Sequence, residues 1–210
     1  MLYDGLKPEM PGLAVCDEMI CITPVNSILR GVTLSPFLRS RRSLRVATFA
    51  RPLFCPDAGY MGATSRVAWG LLRFDVWHFD ELEDPQIFQR LLRITRRKVH
   101  RLSLVDTPER FAKNYLWVFG RRVTGWDWLR IGLCYAHAGH HDKAARILRR
   151  KALTWKVHPE IRAKIECVAI PVIEAIKTGD HEGLRKQFAQ WEETAIGEFR
   201  AVGADLNALY

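Results

Sequence analysis

Residues 128–152 read WLRIGLCYAHAGHHDKAARILRRKA, and the interpretation of the chain starts from this stretch. Apolar side chains lie on both sides of a short polar segment around Gly139. One thiol and three imidazoles fall within eight residues, namely Cys134, His137, His140 and His141. Such a cluster is typical of a metal site, a catalytic site or a polar turn, and its surroundings decide between them.

The order of large and small residues here resembles one tetratricopeptide unit, a helix–turn–helix. In that pattern a large residue is followed by Leu or Ile with Gly, then Tyr, a Gly turn, and Ala in the second helix. The matching residues are Trp128, Ile131, Gly132, Tyr135, Gly139, Ala144 and Leu148. The resemblance covers a single unit at about residues 125–158. It therefore implies one helical hairpin within a stack, because an array needs roughly three or more repeats.

The resemblance implies that His140 and His141 lie in the turn, with Asp142 as the N-cap of the second helix. Cys134 and His137 are three residues apart on the first helix and can share a face. A zinc site would need both of them, a turn histidine and a further ligand. We therefore interpret the cluster as a solvated turn, and we predict no metal, no cofactor and no catalytic residue.

The resemblance also implies a partner-binding face on the first helix of the hairpin. The positions that would line its concave surface are Trp126, Leu129, Leu133 and His137. We predict Trp126 and His137 as partner contacts, because an exposed tryptophan is a frequent anchor of protein interfaces.

Residues 1–84 are predicted to form a small, mainly antiparallel β-rich part. Six of the ten prolines fall within residues 1–60, which favours turns and strand edges over helix. Between the prolines are short β-like runs at 19–23, 31–34 and 43–49.

Three segments of this part allow a more detailed prediction. RSRRS at 39–43 is predicted as an exposed basic loop or hairpin tip. Residues 71–80 alternate like a fourth strand, although a helix beginning near Thr64 also fits. Residues 73–85 are acidic, with five Asp or Glu against one basic residue.

Residues 85–210 are predicted to form a domain of about six helices, stacked as antiparallel hairpins. Thr107 followed by a proline predicts a capped helix that ends at Gly120. Pro159 opens a later helix, which Pro171 is expected to kink or break. The predicted fold class is therefore α+β, with the β-rich part packed on the helical stack.

The end of the chain is predicted as one further helix. Gly179 and Asp180 read as the stop of one helix and the cap of the next. The apolar face of the last helix is predicted to consist of Leu184, Phe188, Trp191, Ala195, Phe199 and Val202.

Residues 88–102 place apolar and basic side chains on opposite sides of one helix. The apolar set is Phe88, Leu92, Thr95, Val99 and Leu102, and the basic set is Arg90, Arg93, Arg97 and Arg101. Arginine suits bidentate contacts to carboxylate or phosphate, so we predict an anion-binding or partner-binding face. The alternative is a solvated face that the acidic stretch at 73–85 or the last helix neutralises.

The net charge of +9 is unevenly distributed. Residues 86–164 carry 19 Lys or Arg against 5 Asp or Glu, whereas residues 165–210 carry 4 against 8. The five cysteines are scattered, which favours reduced thiols over a disulfide scaffold. No secretion signal or apolar run of about 18 residues is visible, so we expect a cytoplasmic protein that does not enter a membrane.

These features predict a non-enzymatic protein-interaction protein that binds an acidic protein surface, such as an adaptor or a toxin-neutralising immunity protein. The alternative is a nucleic-acid-binding protein, or a ribonuclease, that uses the arginine-rich helix at 90–101. The spacing of Arg93 and His100 fits the second class only weakly. No nucleotide-binding, hydrolase or zinc-protease motif is present.

Overall fold

The computed structural model describes residues 2–6, 12–16, 19–37, 40–56, 76–119 and 123–201. Within them the chain forms an antiparallel sheet whose strands are in sequence order. The strands are β1 (Leu13–Cys16), β2 (Met19–Ile22), β3 (Ile28–Phe37), β4 (Ser40–Pro52) and β5 (Val76–His78).

Seven α-helices complete the described part. They are α1 (Leu2–Leu6), α2 (Pro85–Ser103), α3 (Pro108–Phe119), α4 (Gly125–His137), α5 (His141–Ile147), α6 (Pro159–Thr178) and α7 (His181–Ala201). A 3₁₀ turn at Phe79–Glu83 precedes α2, and a π-helical turn at Leu148–Ala152 continues α5. The protein is thus of the predicted α+β class. None of the helices in the described ranges is long and apolar enough to cross a lipid bilayer.

The predicted strands at 19–23, 31–34 and 43–49 are confirmed as β2 and parts of β3 and β4. Of the two alternatives for 39–43, a loop is wrong from Ser40 onwards, where β4 begins. A hairpin tip fits, because β3 and β4 pair antiparallel up to Phe37 and Ser40. Of the stretch 71–80, residues 76–78 form a strand, while 71–75 and the alternative helix near Thr64 lie outside the described residues. Helix α1 and strand β1 were not predicted.

The sheet is covered on both faces. Ile20, Val32 and Val46 project towards α2 and belong to the main hydrophobic cluster. On the other face Cys21, Leu29 and Phe49 pack against Ala195 of α7 in a second cluster. The side chains that alternate along β4 therefore pack against two different elements, α2 on one face of the sheet and α7 on the other. They do not alternate between a buried face and a solvent-exposed face.

The main hydrophobic cluster contains residues of both predicted domains, from Ile20 in the sheet to Phe188 in α7. The division into 1–84 and 85–210 remains a prediction. Helix α2 begins beside that boundary, where the side chain of Asp84 accepts a hydrogen bond from the backbone N–H of Gln86 at 2.8 Å.

Helices α4 and α5 form the predicted hairpin. The turn uses Gly139 with φ of +81°, a left-handed conformation that favours glycine. Gly132 lies where the helices meet, since a Cβ there would be 2.5 Å from a methyl carbon of the buried Leu148. The expected N-cap was wrong: His140 takes the N-cap position without a side-chain cap, and Asp142 lies in the first turn of α5.

The predicted helix signals around α3, α6 and α7 are largely confirmed. The hydroxyl of Thr107 accepts from the N–H of Arg110, and Asp180 accepts from the N–H of Gly183. Helix α6 continues through Pro171, so the expected break does not occur. Cys167 and Pro171 are both exposed, and water can therefore solvate the carbonyl that the proline leaves without its helical donor.

Candidate functional site

Helix α2 has one apolar face and two kinds of basic side chain. Its buried residues are Leu91, Leu92, Thr95, Val99 and Leu102. The last four were predicted, whereas Leu91 was not, and the predicted Phe88 is only half-buried. Arg96 and Lys98, at the edges of this face, turn towards the protein. The guanidinium of Arg96 donates to the carbonyl of Gly5 at 3.2 Å, and the ammonium of Lys98 donates to the carbonyl of Val46 at 3.2 Å.

The outer face of α2 carries Arg90, Arg93, Arg97 and Arg101, which we call the arginine stripe. All four side chains are exposed. No ion pair or hydrogen bond joins Arg90, Arg93 or Arg97 to any residue of the described ranges. At 1.5 Å per residue these three guanidinium groups span about 10 Å along the helix.

The acidic stretch before α2 does not neutralise these three arginines within the described residues. Asp84 caps the helix instead, and no carboxylate follows it until Asp106. Asp106 is bound to Arg110 at 2.9 Å. The alternative of internal charge compensation therefore finds no support at Arg90, Arg93 or Arg97.

Exposed cations on α3, α6 and α7 have carboxylate partners. Each of the following pairs joins a cation to a carboxylate about one turn away: Arg110–Asp106, Lys113–Glu109, Lys177–Glu174, Arg185–Glu182 and Lys186–Glu182. In the arginine stripe the neighbours one turn away are instead like charges, which destabilise a helix by about 0.2–0.5 kcal/mol per pair. The stripe is thus retained at a small cost in stability.

The second predicted contact set, Trp126 and His137, lies on α4 and away from the stripe in the sequence and the fold. Trp126 is half-buried against the main cluster, and the neighbouring positions Leu129 and Leu133 are fully buried. The positions that the tetratricopeptide resemblance assigns to an open concave surface are therefore largely covered in this protein.

His137 lies between two phenylalanines from distant parts of the chain. Its ring stacks on Phe54 with centroids 4.2 Å apart and lies 5.3 Å from the ring of Phe188. Burial lowers the pKa of His137, so the imidazole is neutral near pH 7. Sequence reasoning missed both phenylalanines, because nothing local to residue 137 signals partners some 50 and 80 residues away.

A groove of about 530 Å³ lies beside His137, between the end of α4 and the first half of α7. Its polar lining includes His141, His181, Arg185 and Glu192. The rings of His141 and His181 stack with centroids 4.1 Å apart. Burial and the neighbouring His181 lower the pKa of His141, whereas burial raises the pKa of Glu192 against a hydrogen bond from Ser27.

Cys134 and the histidines at 137, 140 and 141 do not lie together in one site. Cys134 is fully buried, where desolvation and a hydrogen bond with Cys55 raise its pKa. His140 points elsewhere and contacts the carboxylate of Glu109 at 3.1 Å. In the part of the chain that the structure describes, no three His, Cys, Asp or Glu side chains are grouped so that they could hold a metal ion.

Arg93 and His100 both lie on the exposed side of α2, seven residues apart. That separation is about 10 Å along the helix axis, and no nucleophile or carboxylate of the described residues joins them.

Comparison of the chain with protein-family models, curated proteins and solved structures gives no match.

Proposed function

We propose that the protein is a non-enzymatic adaptor that docks through the arginine stripe onto an acidic surface of a partner protein. The observation that carries this proposal is the absence of a counter-charge. Arg90, Arg93 and Arg97 are exposed and unpaired within the described residues, while exposed cations on α3, α6 and α7 have carboxylate partners. Planar guanidinium forks suit bidentate contacts to Asp and Glu.

The surroundings of the stripe favour a protein over a nucleic acid. The exposed positions beside the arginines include the amides Gln86 and Gln89 and the imidazole of His100, and the aromatic Phe88 is half-buried on the other side of α2. Leu104 follows the stripe directly and is 40% exposed. Exposed guanidinium groups next to an apolar side chain are the combination that anchors many protein interfaces.

Charge reversal of the stripe tests this proposal. The triple variant Arg90→Glu, Arg93→Glu, Arg97→Glu is compared with wild type as bait in affinity purification followed by mass spectrometry. The matched control reverses three exposed cations elsewhere, Lys177, Arg185 and Lys186, so that the change in net charge is the same. We expect one partner with an acidic surface, retained by wild type and by the control and lost by the triple variant.

The same experiment separates the two classes of partner. Nuclease treatment should leave a protein partner bound, whereas it removes a partner that is held through nucleic acid. The proposal is overturned if the triple variant loses no partner, or if nuclease also removes every partner that the triple variant loses. The second result would support the nucleic-acid alternative at Arg93 and His100. In the triple variant the 90/93 and 93/97 neighbours remain like-charged, while the 93/96 and 97/101 neighbours become opposite in charge. The variant gains no like-charge pair within the helix and should therefore be no less stable than wild type.

A further inference from the structure

A second basic surface, separate from the arginine stripe, lies at the end of the α4–α5 hairpin. The π-helical turn at Leu148–Ala152 closes with a hydrogen bond of 3.0 Å from the N–H of Leu153 to the carbonyl of Leu148. Leu148 and Ala152 are buried, and the three residues between them, Arg149, Arg150 and Lys151, are all exposed. The turn therefore presents three consecutive cations to solvent.

Trp155 follows this turn and is fixed in place while its ring remains accessible. The guanidinium of Arg162 donates to the carbonyls of Leu153 at 2.7 Å and Trp155 at 2.9 Å. The indole packs against the first residue of α4, since a Cβ on Gly125 would be 3.0 Å from the Cβ of Trp155. Trp155 is nevertheless 38% exposed, an unusual state for a side chain of this size.

Helix α4 carries a second indole close to Gly125. Trp128 is one turn after Gly125 on α4 and is half-buried. The ammonium of Lys151 stands over its ring, 5.7 Å from the centroid. The contact of Lys151 with Trp128 thus lies one helical turn from Gly125, the residue against which Trp155 packs.

The cations of this surface have no carboxylate of their own. The sequence contains no Asp or Glu from Lys143 to Pro159. No ion pair from Arg149, Arg150, Lys151 or Lys156 occurs within the described residues. The nearby carboxylate of Asp127 is already bound by the hydroxyls of Tyr115 and Thr124.

A fixed, accessible indole that is preceded in the chain by three exposed cations and followed by a fourth is an arrangement that suits unpaired bases and their phosphates. Every base has a π-face that can stack on an aromatic ring, and this face is available when the strand is single. We infer that the surface formed by Trp128, Arg149, Arg150, Lys151, Trp155 and Lys156 binds single-stranded nucleic acid. A base stacks on Trp155, and the basic residues contact the adjoining phosphates. The exposed ring beside the arginine stripe is the smaller imidazole of His100 and not an indole, so we expect the two surfaces to select different partners.

Fluorescence anisotropy with a labelled oligouridylate of about a dozen nucleotides tests this inference, a length within the range that single-strand sites cover. Three other probes accompany it: an abasic strand with the same number of phosphates, the duplex form, and a Glu-rich peptide. We expect the single strand with bases to bind most tightly. Trp155→Ala should weaken its binding about 5- to 150-fold, in line with the loss of one stacked base, and should leave the abasic strand unaffected.

Charge variants provide an independent test that does not alter the packing on Gly125. Arg149→Glu with Arg150→Glu should weaken binding of both strands and reduce the salt slope by about 1.4, which corresponds to two phosphates. Arg93→Glu with Arg97→Glu is the matched control of equal charge. It should leave the oligonucleotide bound near physiological salt, where the screening length is about 8 Å.

Several outcomes would overturn the inference. The first is that the single strand does not bind. The second is that the abasic strand, the duplex or the peptide binds as tightly as the single strand. The third is that Trp155→Ala and the Arg149/Arg150 variant both bind the single strand with wild-type affinity. Trp155→Phe retains a ring at this position. If the circular-dichroism signal of Trp155→Ala shows that this variant does not fold, Trp155→Phe takes its place in the test. We then expect Trp155→Phe to bind the single strand more weakly than wild type but not to lose binding. Failure here leaves the adaptor proposal intact, because that proposal depends on α2 alone.

Discussion

Gly132 lies where α4 and α5 meet, and Leu148 occupies the space that a larger side chain would need. Leu148 is fully buried, so it cannot swing aside without disturbing its neighbours. The glycine that carries much of the resemblance to a tetratricopeptide unit therefore has a steric reason to be there. Its position was readable from the sequence, whereas the partner that excludes other residues was not.

Gly132→Ala should lower the free energy of unfolding by about 1–2 kcal/mol. A new methyl group in a packed site costs about 1–3 kcal/mol, and the higher helix propensity of alanine returns only part of this. The matched control is Gly197→Ala in α7, where a Cβ meets no atom within 4 Å. We expect that variant to be more stable by about 0.5–1 kcal/mol. Urea denaturation of both variants provides the measurement, and equal shifts would contradict the close approach.

Helices and strands were predictable where the evidence is local. The caps at Thr107 and Asp180 and most of the apolar face of α2 follow from residues three or four apart. The five-residue helix α1 and four-residue strand β1 carry too short a pattern to be recognised. The arginine stripe was predictable as a face, but its lack of counter-charges depends on contacts that only the folded chain defines.

The stack of Phe54, His137 and Phe188 joins three elements that are far apart in the sequence. This stack also makes the stability of the fold depend on pH. The pKa of His137 is lower in the folded protein than in the unfolded chain, because burial disfavours the imidazolium. The unfolded chain therefore binds a proton first as the pH falls. The contribution of the neutral His137 ring to the free energy of unfolding is fully present above about pH 6.5 and is lost as the pH falls below this value.

His137→Phe should reduce this loss. The ring between Phe54 and Phe188 is retained, while the titrating nitrogen atoms are removed. We expect the drop in unfolding free energy between about pH 7 and pH 5 to be smaller in the variant, as measured by urea denaturation. The lowered pKa of His141 and the raised pKa of Glu192 act in both proteins and cancel in the comparison. An unchanged drop would show that His137 does not titrate differently on folding.

At the scale of the whole molecule, α7 closes the face of the sheet that α2 leaves open. Ala195 lies in a cluster with Cys21, Leu29 and Phe49, and the guanidinium of the buried Arg51 lies 3.4 Å from the carboxylate of Glu198. These contacts link residues more than 140 positions apart. No local pattern in β4 indicates which element covers its second face, and for this reason the sequence predicts the sheet but not its enclosure.

Ala195→Asp should weaken the packing of α7 on the sheet and expose the strand residues beneath it. A carboxylate without a partner in an apolar cluster costs about 3 kcal/mol or more. We expect Cys21, which is fully buried, to become reactive towards iodoacetamide under native conditions, with the exposed Cys167 as an internal reference. Mass spectrometry of the alkylated peptides measures both sites. The control Thr194→Asp changes the neighbouring exposed position. Equal protection of Cys21 in the two variants would contradict the role of α7.

The distance in the sequence between β4 and α7 has a consequence for synthesis in the cell. A ribosome that adds 5–20 residues per second needs roughly 7–30 s to pass from Pro52 to Ala195. During this interval the strands have emerged, but the helix that covers Cys21, Leu29 and Phe49 does not yet exist. Each nascent chain therefore exposes an uncovered strand face for many seconds, a period in which chaperones have access to it and neighbouring nascent chains can aggregate with it.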